Sequence, residues 1–440
     1  AAASYALLKC EDTKIKLQEL YAPSVENPNV NETSIVSLAK EALSFLQRKG
    51  QVKPDTPLAN LVHDAPEQCQ NIMLIWACNA FQGGYIYETI SRINHSCDFN
   101  AVVSVDTMAR SAGGTDGERQ VIRAAADIQP GEEITISYLG SITYAACQLR
   151  NERLLREKYF TCSCTRCDKD RKDGDLAAAI PCTVCHERAG RYLDEDVQYD
   201  DGEVTVNYCI PRCKEVTSEP SKAQYEYICS NCGPVKVDDT ISKAMEKAVE
   251  RTMSHLEQGL MKSSEIDDDE GERDAALEMT ERLSCLSSSV MGAKHYLTNL
   301  LTCVMLGRKL SALNAAILCS SAKASKSDAE SAVDPTEVAE CIHSMEQLSN
   351  FVESLGLKSH PGHLIGNLNV GIARVLIGFG DLKSMKYGST FIDKVLDDYF
   401  KLGFEGDGMI KVVETLSGAW KRKAGNVEEE DQKQRKRIKL

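Results

Sequence analysis

Nine of the chain's 18 cysteines lie between Cys162 and Cys232. No other feature constrains the fold as strongly. The N-terminal stretch "AAASYALLKCEDTK" has no basic n-region and no initiator Met, so it reads as neither a secretory signal nor a natural start. Without an export signal the thiols belong in a reducing compartment, where clustered cysteines bind zinc rather than pair as disulfides. The remaining nine (Cys10, Cys69, Cys78, Cys97, Cys147, Cys285, Cys303, Cys319 and Cys341) are scattered, and most should be small core residues.

At 440 residues the chain exceeds a single compact core, and about three domains are expected. An apolar share of 42% is enough to bury a sizeable core and excludes a wholly disordered chain. The net charge of −14 argues against broad, phosphate-led nucleic-acid binding and favours a basic partner or substrate. The densest apolar run, "IMLIWAC", is far short of 18 residues, so no membrane-spanning helix is expected.

Texture divides the chain into an α+β series. Residues 1–90 read as mainly helical: "SIVSLAKEALSFLQRK" puts Ile35, Leu38, Leu43 and Leu46 near helical spacing, and "QCQNIMLIWACNAF" is a second apolar helix. Short strands follow over 91–145, in "NAVVSVD", "RQVIRAAADI" and "EEITISYL", separated by "SAGGTDGE" and "QPG" turns. A helix in "YAACQLRNERLLREKY" leads into 146–170, then a Cys-rich region over 171–236. Residues 237–423 read as stacked helical hairpins. Asp334-Pro335-Thr336-Glu337 is a helix start, Gly356, Gly380 and Gly403 are helix ends, and "SSEIDDDEGERD" is a loop. A basic tail, 424–440, ends the chain. Lys421-Arg422-Lys423 followed by "KQRKRIKL" matches a bipartite nuclear localisation signal or a solvated basic tail equally well.

Three segments carry chemistry: Arg92-Ile93-Asn94-His95-Ser96-Cys97-Asp98-Phe99-Asn100, Gly131-Glu132-Glu133-Ile134-Thr135-Ile136-Ser137-Tyr138, and Tyr159-Phe160-Thr161-Cys162-Ser163-Cys164-Thr165-Arg166-Cys167. In this order and spacing they resemble the second half of a SET-domain lysine methyltransferase with its post-SET cysteines. With "ACNAF" before and "QLRNERLLREKYFTCSCTRC" after, the details are similar to the SET-and-MYND family over residues 70–170. The resemblance implies a partial SET β-fold, a post-SET zinc cluster, a Cys-rich zinc module and a C-terminal α-helical, TPR-like domain. It implies S-adenosyl-L-methionine and Zn2+ as cofactors, Tyr138 as catalytic, and Asn79, Ser91, Asn94, His95 and Phe160 as cofactor-binding, Phe160 by stacking on adenine.

The C-x-C-x2-C of Cys162, Cys164 and Cys167 supplies three thiolates and leaves one tetrahedral position open; the resemblance fills it with Cys97. Cys182, Cys185, Cys229 and Cys232 read as two knuckles of a ribbon. Cys209 and Cys213 lie between them, so the choice of four stays open. "CTVCH" also fits the pattern for haem c attachment, which needs an exported protein.

The family's N-terminal SET strands, its Gly-x-Gly turn and its MYND module have no counterpart in the sequence, and Phe99 stands where the family usually has Pro. The chain therefore reads as an N-terminally incomplete piece, short of full cofactor binding and activity by itself. The function implied is protein lysine N-methylation, with an inactive SET-derived zinc-binding scaffold as the alternative. Expected partners are a lysine-containing protein such as a histone tail, and other proteins through the helical domain. Broad nucleic-acid binding and membrane association are not expected, and the location is nucleus or cytoplasm.

Overall fold

The computed structural model describes residues 66–81, 86–105, 120–185, 207–214, 224–237, 270–323, 334–357 and 362–379, with scattered residues elsewhere. Of the helix expected in "SIVSLAKEALSFLQRK", Glu41, Ser44, Gln47 and Arg48 are described and all are helical; the helix ends at Gly380 and Gly403 and the basic tail over 424–440 lie outside the described residues.

The first part joins one helix to two small strand pairs. Helix α1 (Pro66–Asn79) is followed by β1 (Asn94–His95), β2 (Ala101–Val105), β3 (Gln120–Ala124) and β4 (Thr135–Ile136). Strands β2 and β3 pair antiparallel from Ala101↔Ala124 to Val105↔Gln120, as their β-branched residues and the turn between them suggest. Strands β1 and β4 pair parallel, Asn94 with Thr135 and His95 with Ile136. A two-residue parallel pair has little ladder of its own, and Asn100 clamps it. The Asn100 amide accepts from Thr135 N at 2.9 Å and donates to Glu133 O at 2.9 Å. Phe99 is fully buried beneath this crossing, at 1% exposure.

Helix α2 (Cys147–Lys158) and helix α3 (Thr165–Asp173) come next, then a four-stranded antiparallel sheet in the order β5 (Ile180–Pro181), β6 (Tyr208–Cys213), β7 (Tyr225–Cys229) and β8 (Gly233–Val235). Four long helices follow: α4 (Glu270–Met291), α5 (Tyr296–Lys323), α6 (Pro335–Ser354) and α7 (Gly362–Phe379). Residues 270–274 of the acidic stretch expected to be a loop belong to α4. Acidic residues at a helix N-terminus suit the positive end of its dipole, which polarity alone does not reveal. Helix α6 starts as its sequence specifies: Asp334 Oδ1 accepts from Thr336 N at 2.8 Å, and Pro335 opens the first turn. Its buried residues Val338, Cys341, Met345 and Leu348 recur every three or four positions and face α5 and α7, while Val352 joins a second core.

Two cores hold the second half together. One lies between α5, α6 and α7, around Leu306, Leu310, Met345, Ile372 and Leu376. The other joins the sheet to α4 and α5 through Cys209, Cys229, Met291, Tyr296 and Leu301. Gly292 makes that second junction possible. It turns the chain out of α4 at φ +73°, and a Cβ there would come within 2.8 Å of Pro181 Cγ.

The apolar content of α5 corrects an expectation. Tyr296–Leu318 is long and apolar enough to cross a membrane by length and composition. A count of uninterrupted apolar residues misses it, because Thr, Asn and Gly punctuate the run. Its Leu301, Leu306, Leu310 and Leu313 are buried against neighbouring helices, and Asn314 donates to Gly371 O of α7 at 3.3 Å. Helix packing accounts for these leucines, while 22% of the apolar window as a whole is buried.

His295, just before α5, gives this region a pH dependence. Burial pushes its imidazole down from 6.5 to about 3, and its Nδ1 accepts from Leu297 N at 3.2 Å. The folded state holds the ring neutral, so the unfolded chain alone takes up a proton as pH falls below 6.5. Stability is lost through the window from 6.5 down to about 3. The protein should be about 2–3 kcal/mol less stable at about pH 4.5 than at pH 7 from this group alone. His295→Asn keeps an acceptor for Leu297 N and removes the titration. Denaturant unfolding followed by helical circular dichroism should show a shallower acid loss in the variant, and an identical loss would exclude His295 as its source.

Candidate functional site

The β1–β4 crossing brings together residues more than forty positions apart. His95 Nδ1 accepts from the backbone N–H of Tyr138 at 3.1 Å, which leaves the ring proton on Nε2, 3.3 Å from Cys97 Sγ. Burial lowers the His95 pKa to about 4, so the ring is neutral at physiological pH. The Tyr138 hydroxyl donates to Ile93 O. Burial raises its pKa to about 12 and keeps it a phenol.

Phe160 reaches the same place from the other side. Helix α2 ends at Lys158, and Tyr159 adopts a left-handed conformation at φ +62°, the one non-glycine with positive φ among the described residues. That conformation is uncommon outside glycine and here reverses the chain at once. The rings of His95, Tyr138 and Phe160 form a cluster with centroids 5.3 to 6.4 Å apart.

Around this cluster is a cavity of about 670 Å³ lined by Leu20, Cys78, Asn79, Ser91, Arg92, Asn94, His95, Glu133, Tyr138, Lys158 and Phe160. Every sequence-selected cofactor residue and Tyr138 therefore borders one space. Asn94 Nδ2 donates to Glu133 Oε1 at 2.6 Å. Asn79 and Ser91 shape the wall: Asn79 Nδ2 donates to Ile75 O, while Ser91 Oγ donates to Asn79 O and accepts from Tyr87 N. The volume suits a drug-sized ligand. Aromatic faces beside amides and a carboxylate fit S-adenosylmethionine, which has a flat purine, a polar amino-acid end and a cationic sulfonium.

Four sulfurs lie behind this wall. The Sγ atoms of Cys97, Cys162, Cys164 and Cys167 are all within 4.8 Å of one another, with Cys167 to Cys97 at 3.5 Å. A tetrahedral zinc with Zn–S of about 2.3 Å has sulfur–sulfur edges of about 3.8 Å. The thiols also hydrogen-bond one another. Cys164 is driven down to about 6 by Cys162, and Cys167 is lowered by Cys147 and its other neighbours, while Cys97 and Cys162 are raised.

Two buried arginines surround this set. Arg150, fully buried, donates to Asp170 Oδ2 at 2.6 Å and to Cys167 Sγ at 3.5 Å. Burial opposes its charge, yet the sulfurs of Cys97 and Cys167 hold its pKa well above the ordinary value. Arg166 donates to Cys97 O and Thr143 O. Arg150 Nε and Arg166 Nη2 are buried without a hydrogen-bond partner. Such cationic surroundings fit a tetrathiolate zinc, whose net charge is −2. The donor set thus fits zinc.

The second cysteine set is Cys182, Cys185, Cys229 and Cys232. Cys185 lies 3.8 Å from Cys229 and 3.1 Å from Cys232, and Cys182 lies 3.9 Å from Cys232. Asn231 N and Nδ2 donate to Cys229 and Cys185. These hydrogen bonds to sulfur are typical of zinc knuckles. Cys209 sits opposite Cys229 on β6, and Cys213 lies farther along that strand; neither belongs to the four-sulfur group.

Sequence reading missed Lys158, Glu133, Arg92 and Cys78 in the cavity, and Arg150 and Arg166 behind it. Lys158 and Arg150 look like the polar face of an ordinary amphipathic helix, and nothing in their spacing marks them.

Residues 8–139 match the family model described as SET domain. The chain carries a SET domain, and the match takes in most of the stretch read as mainly helical as well as the core strands. Among curated proteins, the chain is 35% identical over 103 residues to histone-lysine N-methyltransferase SMYD3 of Homo sapiens, covering 22% of this chain and 21% of that protein. It is 35% identical over 91 residues to N-lysine methyltransferase SMYD2 of Gallus gallus, covering 21% and 18%. It is 34% identical over 96 residues to histone-lysine N-methyltransferase ASHR1 of Arabidopsis thaliana, covering 22% and 17%. Each match spans about a fifth of the relative's length.

Proposed function

We propose that this protein is a protein lysine N-methyltransferase that uses S-adenosyl-L-methionine. The observation that carries this reading is the single cavity shared by Asn79, Ser91, Asn94, His95, Phe160 and Tyr138 within and beside a SET domain. Phe160 would stack on the purine, and Asn94 with the backbone at His95 would hold the polar end. When bound, S-adenosylmethionine supplies an electrophilic methyl group. The protein's own contribution is to orient a lysine amine and keep it dry, since only the neutral amine is nucleophilic and desolvation lowers its pKa. Tyr138 serves that purpose: its hydroxyl hydrogen is engaged by Ile93 O, so its oxygen can accept from an incoming amine. The four sulfurs around Cys97 would bind zinc and fix Phe160 over the cavity; the second four would bind another zinc. We read α4 to α7 as a TPR-like array for protein partners, the substrate as a lysine-bearing protein such as a histone tail, and the location as nucleus or cytoplasm. An inactive scaffold would have no need of this convergence of polar and aromatic groups.

Calorimetric titration with S-adenosylmethionine tests the reading. Saturable binding with a Kd of order micromolar (about −8 kcal/mol), weakened at least tenfold by Asn94→Ala, is expected. It would also show that the residues present suffice without a Gly-x-Gly turn. No saturable binding by this chain or by one extended at its N-terminus would overturn the assignment.

A further inference from the structure

Among the described residues, Lys158 is the one lysine lining the cavity. Its Nζ donates to Ala77 O at 2.8 Å and to Cys78 O at 2.9 Å, in the last turn of α1. It also lies 5.8 Å from the centroid of the Tyr138 ring. The ordinary role of such a contact is to cap a helix C-terminus. A capping lysine, however, usually stands on the surface, whereas this one shares a cavity with the tyrosine proposed to orient a lysine amine. Burial lowers its pKa, with Cys78 and Glu157 acting the other way. A neutral amine has two N–H donors and one lone pair. Once deprotonated, with both donors kept on Ala77 O and Cys78 O, Nζ has its lone pair left for a new bond.

The geometry points to Lys158 as a site of methylation in cis, with the cavity's own S-adenosylmethionine as methyl donor. This rests on the methyltransferase reading above. After the Nζ ammonium gives up a proton to solvent, its lone pair forms the new N–C bond, and the methyl's C–S bond breaks with its electron pair going to sulfur. The sulfonium becomes the neutral thioether S-adenosylhomocysteine. The resulting methylammonium releases its extra proton to solvent. One N–H donor is lost for each methyl gained, so modification would loosen the tie between α1 and α2 while leaving the charge available.

The test incubates the protein with S-adenosylmethionine carrying a trideuterated methyl, together with a pool of lysine-containing peptides, and maps the label by peptide mass spectrometry. The heavy methyl is expected on Lys158, at a rate per chain independent of protein concentration. It should be absent from Lys158 in Tyr138→Phe, and a Lys158→Arg variant should carry no label at position 158. Lys172→Arg, altering an exposed partner of Asp168, should leave the Lys158 label unchanged. A second readout needs no turnover: S-adenosylhomocysteine should protect Lys158, and not Lys172, from an amine-acylating reagent. Peptide labelling with Lys158 unmodified would overturn the proposal and leave the methyltransferase reading standing. If neither Lys158 nor the peptides take up label, both fall. Label on Lys158 whose rate rises with concentration would mean transfer between chains and would overturn the cis assignment.

Discussion

Tyr138→Phe should lower the rate of lysine methylation by a factor of order 10²–10³ while changing S-adenosylmethionine affinity by less than about threefold. The ring is half of the argument and the hydroxyl the other half. Phenylalanine keeps the contacts with His95 and Phe160, at 5.3 and 6.4 Å between centroids, so the cavity wall survives. What it loses is an oxygen whose hydrogen is committed to Ile93 O and whose lone pairs are the acceptor proposed for the substrate amine. A preorganised polar group at the reacting centre contributes far more to rate than the same group in water. The lost hydrogen bond should cost about 0.5–1.5 kcal/mol of stability, so turnover must be measured where both proteins are folded. Because burial puts the phenol pKa near 12, the wild-type rate should show no fall from Tyr138 ionisation between pH 7 and about pH 9. A variant with near-normal turnover would remove Tyr138 from the reaction.

What the sequence revealed and what it concealed follow a physical division. Helices α1, α2, α5 and α6 were legible because a buried stripe leaves a 3.6-residue signature and Asp334-Pro335 marks a start. Strand β1 carries no such signature, being two residues long, and β4, although "EEITISYL" reads as a strand, is only the two residues Thr135–Ile136. They are held by the Asn100 side chain and by cross-chain pairing, neither of which is periodic. The residues around the cavity could be named only through the resemblance of three short segments to a known arrangement. The wall residues Lys158 and Glu133 stayed hidden for the opposite reason: Lys158 lies next to a recognised motif and Glu133 within one, but each points to its use only once the fold closes. The left-handed Tyr159 is a further case, since no tyrosine announces a positive φ. The two arginines behind the first cysteine set are concealed by charge itself. On sequence, Arg150 and Arg166 look solvated, yet their exposures are 0% and 6%, because the sulfurs and Asp170 offset the cost of burying them.

That electrostatic arrangement leads to the largest effect expected in the molecule. Purified from zinc-containing medium, the protein should carry zinc at both four-sulfur groups, and Cys164→Ser should remove the first ion alone. Structural zinc contributes an apparent 10–16 kcal/mol in small peptides, about as much as or more than the whole stability of a typical domain, about 5–15 kcal/mol. Its loss also leaves Arg150 and Arg166 buried with their positive charge less compensated, a further cost of several kcal/mol. The segment from Cys147 to Cys167 should therefore loosen, and with it Phe160, two residues before Cys162, and His95, whose Nε2 faces Cys97. Cofactor binding should fall at least tenfold in Cys164→Ser. Cys232→Ser supplies the contrast. It removes the second zinc from the sheet edge, none of whose ligands lines the cavity, and should leave cofactor affinity within about threefold. Metal analysis of the two variants beside the wild type, with calorimetry on the same samples, separates the outcomes. Unchanged zinc in Cys164→Ser would overturn the ligand assignment, and equal loss of cofactor binding in both variants would show that zinc stabilises the chain as a whole rather than closing this cavity.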